Sequence, residues 1–170
     1  MSLESTVRWF HSEMADAPQI NAEPGDLINI LDACLVNGFG NKAVDSLVVL
    51  NEVATVTISA GHLFEELAVI RLAGADGGSA ILNGDWRIAT ADGSSFTFAA
   101  PGIADMTATG TITCRRATPG YWEKAFSGTN KAAYRSTHPD ATGFLLRLDD
   151  TATGRVVGYE SMTDIDTGQF

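Results

Sequence analysis

The spacing of apolar positions changes once along this chain, near residue 40. Before that point Leu27, Ile30, Leu31, Cys34 and Leu35 fall at i, i+3, i+4, i+7 and i+8, a single stripe of an amphipathic helix. Pro24 and Asp26 suit its first turn, where a missing N–H costs nothing and a carboxylate meets the positive end of the dipole. Asn37-Gly38 supplies a left-handed stop. The spacing therefore predicts a helix over about 25–37 with one buried face, where Leu31→Ala would cost about 2–5 kcal/mol.

After residue 46 the period is two. Residues 47–50 and 53–58 alternate or run apolar with β-branched side chains, and Asn51-Glu52 lies between them as a tight turn. Residues 67–72 form a further strand pattern, and the glycine-bearing stretch 74–79 reads as a loop. Segments 86–90 and 95–98 flank Asp92-Gly93. Trp86 and Ile88 share one face, as do Phe96 and Phe98, which predicts a hairpin closed by a primed turn. Strand patterns recur at 107–114, 131–136, 144–148 and 155–159, the last two flanking the turn-rich 149–154. A short strand over 6–10 and a polar connector over 11–24 complete the reading.

The expected fold is mainly β, an antiparallel sandwich or barrel-like arrangement with one N-terminal amphipathic helix. The composition shift at Ala117-Thr118-Pro119-Gly120 marks a seam. It separates an N-terminal β region, 1–117, which includes the helix, from a C-terminal antiparallel region, 118–170, packed on the same core.

Composition agrees with a folded chain. With 45% hydrophobic and 19% charged residues, apolar burial can offset the entropy of ordering. A domain of this size buries roughly 70% of its unfolded surface, enough for one core without staples. Seventeen glycines and five prolines are too many for a helical bundle.

The formal net charge is −10, unevenly spread. Residues 1–85 carry three basic and twelve acidic side chains, while 86–170 carry eight and nine. An acidic first half with no basic stripe of interleaved aromatics argues against nucleic acid as a partner. Arg115, Arg116, Lys124, Lys131 and Arg135 gather as a basic group, read as a solvated face. No apolar run approaches the length of a membrane span, and no basic start precedes an apolar run, so neither membrane insertion nor a secretion signal is expected. Cys34 and Cys114 read as small core residues, and nothing in their spacing demands a disulfide.

Catalytic constellations are weak. His11, His62 and His138 are scattered, and none has a second ligand at metal spacing. Asp164-x-Asp166-x-Gly168 opens like a calcium loop but lacks its later oxygen ligands. There is no Gly-x-Ser-x-Gly, and neither cysteine has a histidine nearby in sequence. Among Glu65, Glu66, Asp149, Asp150 and Glu160 no pair stands out for glycoside cleavage. The run from Gly74 to Gly78 precedes a strand pattern rather than a helix, so it is no phosphate cradle. The motifs favour a non-enzyme, with no catalytic residue, cofactor or metal assigned. Tyr121, Trp122, Phe126 and Tyr134 sit in a polar, glycine-bearing stretch, where they either anchor a partner or seal the end of a β core.

Residues from about 53 to 113 resemble the small β-module known as FCCH-like, named after ubiquitin-activating enzymes but recurrent in phage structural proteins. The resemblance rests on Ala73-Gly74-Ala75, Leu82-Asn83-Gly84-Asp85-Trp86-Arg87-Ile88, Ser95-Phe96-Thr97-Phe98 and Ala108-Thr109-Gly110-Thr111. Upstream, the module reads His-Gly-Phe and then Gly-Asp. Here His62-Leu63-Phe64 carries leucine for the first glycine, and Leu67-Ala68 stands in place of Gly-Asp. The flanks resemble uncharacterised phage and prophage proteins at Val7-Arg8-Trp9-Phe10-His11, at Leu31 to Gly40, at Trp122-Glu123-Lys124, at Phe126 to Lys131 and at Gly158 to Asp164.

That resemblance implies a virion component, tail-associated, assembled in the bacterial cytoplasm and working through contacts with other virion proteins or with copies of itself. Trp9, Phe10, Phe39, Tyr121, Trp122 and Phe126 are the expected contact residues. A host-surface glycan bound by the same aromatics is the second reading, and a cell-wall or capsule hydrolase the third.

Overall fold

The computed structural model describes residues 7–152 and 154–170. It is mainly β, with antiparallel sheets and one short helix, Asp26–Leu31 continuing as Asp32–Asn37. The chain divides into two compact units. The first takes in the chain up to Asp16 together with Gly38–Ala117; the second is Ala17–Asn37 with Thr118–Phe170. The helical segment, assigned from its sequence position to the N-terminal region, thus packs with the C-terminal strands.

In the first unit β1 (Phe39–Ala43), β4 (Val69–Ala75), β5 (Gly84–Arg87) and β9 (Gly110–Arg116) form one sheet in the order β1-β9-β4-β5. A second sheet has the order β6-β7-β3-β2-β8, from β2 (Ser46–Leu50), β3 (Val53–Thr57), β6 (Thr90–Ala91), β7 (Ser95–Ala99) and β8 (Met106–Thr107). Neither sheet closes into a barrel among the described residues. Both feed one apolar cluster: Leu47, Val49, Val56, Phe96 and Phe98 from one, Ile70, Leu72, Ile112 and Cys114 from the other. Period-two burial along β2 and β7 places these side chains inside.

Several expected elements differ in detail. Asn51 and Glu52 do turn β2 into β3, both at left-handed φ (51° and 61°). The hairpin over 86–98 is shorter than its pattern suggested. Trp86 and Arg87 pair with β4, and only Thr90 and Ala91 pair with β7. The chain changes sheets between these segments, so Trp86 and Phe98 meet across sheets instead of along one. Gly93 does not adopt a left-handed φ. The Asp92 carboxylate builds the turn instead, accepting the backbone N–H groups of Ser94 (2.8 Å) and Ser95 (2.7 Å).

The stretch 74–79 is no simple loop: Gly74 and Ala75 end β4, and Gly77–Leu82 winds as a 3₁₀ turn. Residues 7–10 form no strand, and Thr6 lies outside the described residues. At the irregular end of the β4–β9 ladder the two backbones nearly touch. A Cβ on Gly74 (φ +86°) would stand 2.1 Å from Thr111 O, and one on Gly110 (φ +109°) 2.2 Å from Gly74 O. Only glycine fits either position.

The second unit has β10 (Trp122–Gly128), β11 (Lys131–Ser136), β12 (Leu145–Asp149) and β13 (Arg155–Tyr159) as one meander, followed by the hairpin β14 (Ser161–Asp164) and β15 (Thr167–Gln169). Ile28 packs against Ala132, Tyr134 and Leu148, with Leu27, Leu31 and Val36 beside it. Cys34 and Leu35, members of the expected stripe, are only half-buried and stand outside this cluster. Leu31 and Val36 are five residues apart, the step of a π turn. Winding the second half of the helix this way keeps Asp32 and Val36 on the face that already carries Ile28. Asp32 accepts the Tyr134 hydroxyl at 2.8 Å and Lys124 Nζ at 2.5 Å. The first turn is held by Asp150, whose Oδ2 accepts N–H bonds from Gly25 (2.9 Å) and Leu27 (3.0 Å). Asp26 folds back onto the N–H groups of Asn21 and Glu23.

Candidate functional site

The six expected contact residues divide three and three between the units. In the first, Trp9 is exposed and stacks on His11 with ring centroids 5.5 Å apart. Phe10 is half-buried and tilts against Phe39 at 5.6 Å. Phe39 itself is 8% exposed and forms a wall of the interior, so it offers no free surface.

In the second unit Tyr121 (60% exposed) and Trp122 (36%) are adjacent at the start of β10. Tyr121 takes a left-handed φ of 56° and meets the His138 ring edge-on at 4.8 Å. Phe126 is half-buried opposite Ala133, beyond a register shift after Lys124. Tyr134, read with these aromatics, is fully buried, and burial beside Asp32 pushes its hydroxyl pKa well up. It seals the core under the helix.

The structure adds a cluster that the sequence did not mark. Arg116 ends β9 at 1% exposure. Its guanidinium lies 5.5 Å from the Phe39 ring centroid and 5.2 Å from that of Phe64. Nε donates to Met14 Sδ at 3.2 Å, Nη2 donates to Leu63 O at 3.2 Å, and Glu65 stands 3.9 Å from Nη2. Nη1 has no hydrogen-bond partner among the described residues. Burial lowers the pKa of this arginine, opposed by Glu65 and Asp16. The only sequence signal was strand parity, which places Arg116 on the same face as Cys114 and Ile112.

The remaining basic group is mostly engaged. Lys124 pairs with Asp32, Lys131 with Asp166 and Arg135 with Glu123. Arg115 is exposed and lies opposite Arg71, which is tied to Asp85 at 2.6 Å. Asp85 also receives Arg8 at 2.6 Å. This arrangement is a braced sheet face with a local cationic excess.

Several candidate carboxylates and the buried histidine are held in structural contacts. Asp166 accepts from Lys131 and Arg147, both of which hold its pKa down, and Asp164 accepts the Asp166 N–H. Among the described residues no group of three His, Cys, Asp or Glu side chains is placed to hold a metal ion. Asp149 is bound by the Thr151 hydroxyl and Asp150 caps the helix. His62 is fully buried, with Nδ1 accepting the Phe64 N–H and Nε2 donating to Ser95 O. Burial raises the pKa of both thiols, that of Cys114 to about 12, which makes it a poor nucleophile. Among the described residues no helix is long and apolar enough to cross a membrane.

Two exposed leucines carry unusual backbone. Leu63 has φ 52° and Leu67 φ 66°, with side chains 69% and 53% exposed. Glycine is the residue that takes such angles without cost. Comparison of the chain with protein-family models, with curated proteins and with solved structures finds no match to any of them.

Proposed function

We propose that this chain is a non-enzymatic structural protein of a phage or prophage particle, tail-associated, assembled in the bacterial cytoplasm and acting through contacts with copies of itself or other virion proteins. The observation that carries this reading is the conformation of Leu63 and Leu67. They stand where the resembled β-module has glycines, and both hold the left-handed backbone that glycine would supply. In the same reading the two sheets of the first unit are the faces of a sandwich. Open sheet edges and the exposed Trp9, Tyr121 and Trp122 supply material for contacts, since edges offer backbone hydrogen bonds and aromatics offer area.

Light scattering across a concentration series tests the proposal: mass should rise above that of one chain. A strict monomer at every concentration overturns it. The adjacency of Tyr121 and Trp122 favours glycan recognition as the second reading. A saccharide-induced change in tryptophan fluorescence that Trp122→Ala abolishes would select it.

A further inference from the structure

Residues 7–16 lie on the first unit without entering either of its sheets. Side chains make their attachments. Arg8 pairs with Asp85 at 2.6 Å at one end, and Asp16 pairs with Lys42 at 2.9 Å at the other. Between them Phe10 leans on Phe39, and Met14, 3% exposed, covers Arg116. The opposite signs of the two end pairs fix the direction in which the segment lies. A backbone hydrogen bond in it, Met14 N–H to His11 O, is internal.

Directly after Asp16 the chain enters 17–37, which belongs to the second unit, and it rejoins the first only at Gly38. The segment is therefore tied to its own cradle through residues that pack elsewhere. Residues 17–23 have neither helix nor strand, and Asp16 and Ala22 both hold φ at 62°, a conformation L-residues adopt at a cost. A strained connection beside an element held by side-chain latches is the arrangement that favours exchange between copies, because a second copy supplies every latch unchanged.

We propose that residues 7–16 are an exchangeable arm that docks into the Asp85–Phe39–Arg116–Lys42 cradle of a second copy of this chain. The inference rests on the assembly reading above and names the contact through which assembly occurs. The arm contributes a cation, an aromatic ring, a thioether and a carboxylate in that order, and the cradle presents their complements in the same order.

The test uses the unsubstituted protein. Isotope-labelled and unlabelled chains are mixed in equal amounts, incubated at high concentration and treated with a carbodiimide. The reagent activates the Asp16 carboxylate as an O-acylisourea; Lys42 Nζ displaces it to form the amide, and the carbodiimide leaves as a urea, having taken up the elements of water. Arm exchange yields cross-linked peptides carrying one labelled and one unlabelled partner, approaching half of the Lys42–Asp16 product. The Lys124–Asp32 cross-link within the second unit stays single-isotope. Single-isotope Lys42–Asp16 product at every concentration overturns the proposal. If light scattering then still shows oligomers, assembly stands and only the arm contact falls; a strict monomer removes both.

Discussion

The indole of Trp86 stacks on the ring of Phe98 with centroids 4.7 Å apart, although β5 and β7 belong to different sheets. The contact ties the two sheets of the first unit together, and Trp86 Nε1 donates to Leu82 O at 2.8 Å, which fixes the indole. Phe98, 1% exposed, should cost about 3–5 kcal/mol when cut to alanine. A double-mutant cycle with Trp86→Ala should show coupling of about 0.5–1.5 kcal/mol in denaturant melts. Additive losses would mean that the rings are neighbours without mutual stabilisation.

Leu67→Gly should stabilise the protein. The left-handed backbone costs an L-residue about 1–2 kcal/mol, while glycine adds about 0.5–1 kcal/mol of unfolded-state entropy, so a small net gain is expected. Leu67→Ala, which keeps the Cβ, should bring no such gain. The thermal midpoints of the two variants decide the matter.

Asp92 predicts one component of acid sensitivity. Its N–H and hydroxyl donors from Ser94 and Ser95 hold its pKa at about 2, below the usual 3.8. A folded value below the unfolded one means stabilisation that is present above the unfolded pKa and lost as pH falls through the folded one. Asp92→Ala should therefore flatten the stability profile between about pH 4 and pH 2 relative to the parent. An unchanged slope in urea melts across that window would contradict it.

Arg116 should tolerate methionine better than alanine. Alanine leaves a void between the Phe39 and Phe64 rings and should cost about 3–5 kcal/mol. Methionine refills the volume and removes a buried charge whose Nη1 has no hydrogen-bond partner among the described residues, so most of that loss should be recovered. Equal midpoints for the two variants would show that the charge, not the volume, matters here.

Asp150→Ala should loosen the helix by about 1 kcal/mol, because Gly25 and Leu27 lose their shared acceptor. Circular dichroism and a melt on the same sample would register the change.

Strand positions from 47 to 57 and the two-residue turn between them were legible because each alternating side chain meets one core face. Three features were not. The Trp86 segment reads as a hairpin arm because periodicity reports which face is apolar and not which neighbour supplies the hydrogen bonds. The helix stripe was displaced because the pull of Tyr134 and Lys124 on Asp32 comes from strands about a hundred residues away. Arg116 looked like a surface cation because the segment that buries it, with Met14 at its centre, carries no regular pattern. Of the expected contact residues, Trp9, Tyr121 and Trp122 are accessible, whereas Phe39 lies on a strand that no alternation marked, so nothing in the pattern told an inner wall from an outer one.

The helix at Asp26–Asn37 belongs with strands made much later, and this orders events during synthesis. Twelve residues form a marginal helix alone. Ala132, Tyr134 and Leu148, on which Ile28 rests, follow it by about a hundred positions. Throughout that interval Ile28 and Leu31 lack their cover on the nascent chain, while the sheets of the first unit can already close. The first unit can thus mature around an unfinished excursion of its own backbone, and the strands that carry Ala132, Tyr134 and Leu148 later complete both the helix and its cover.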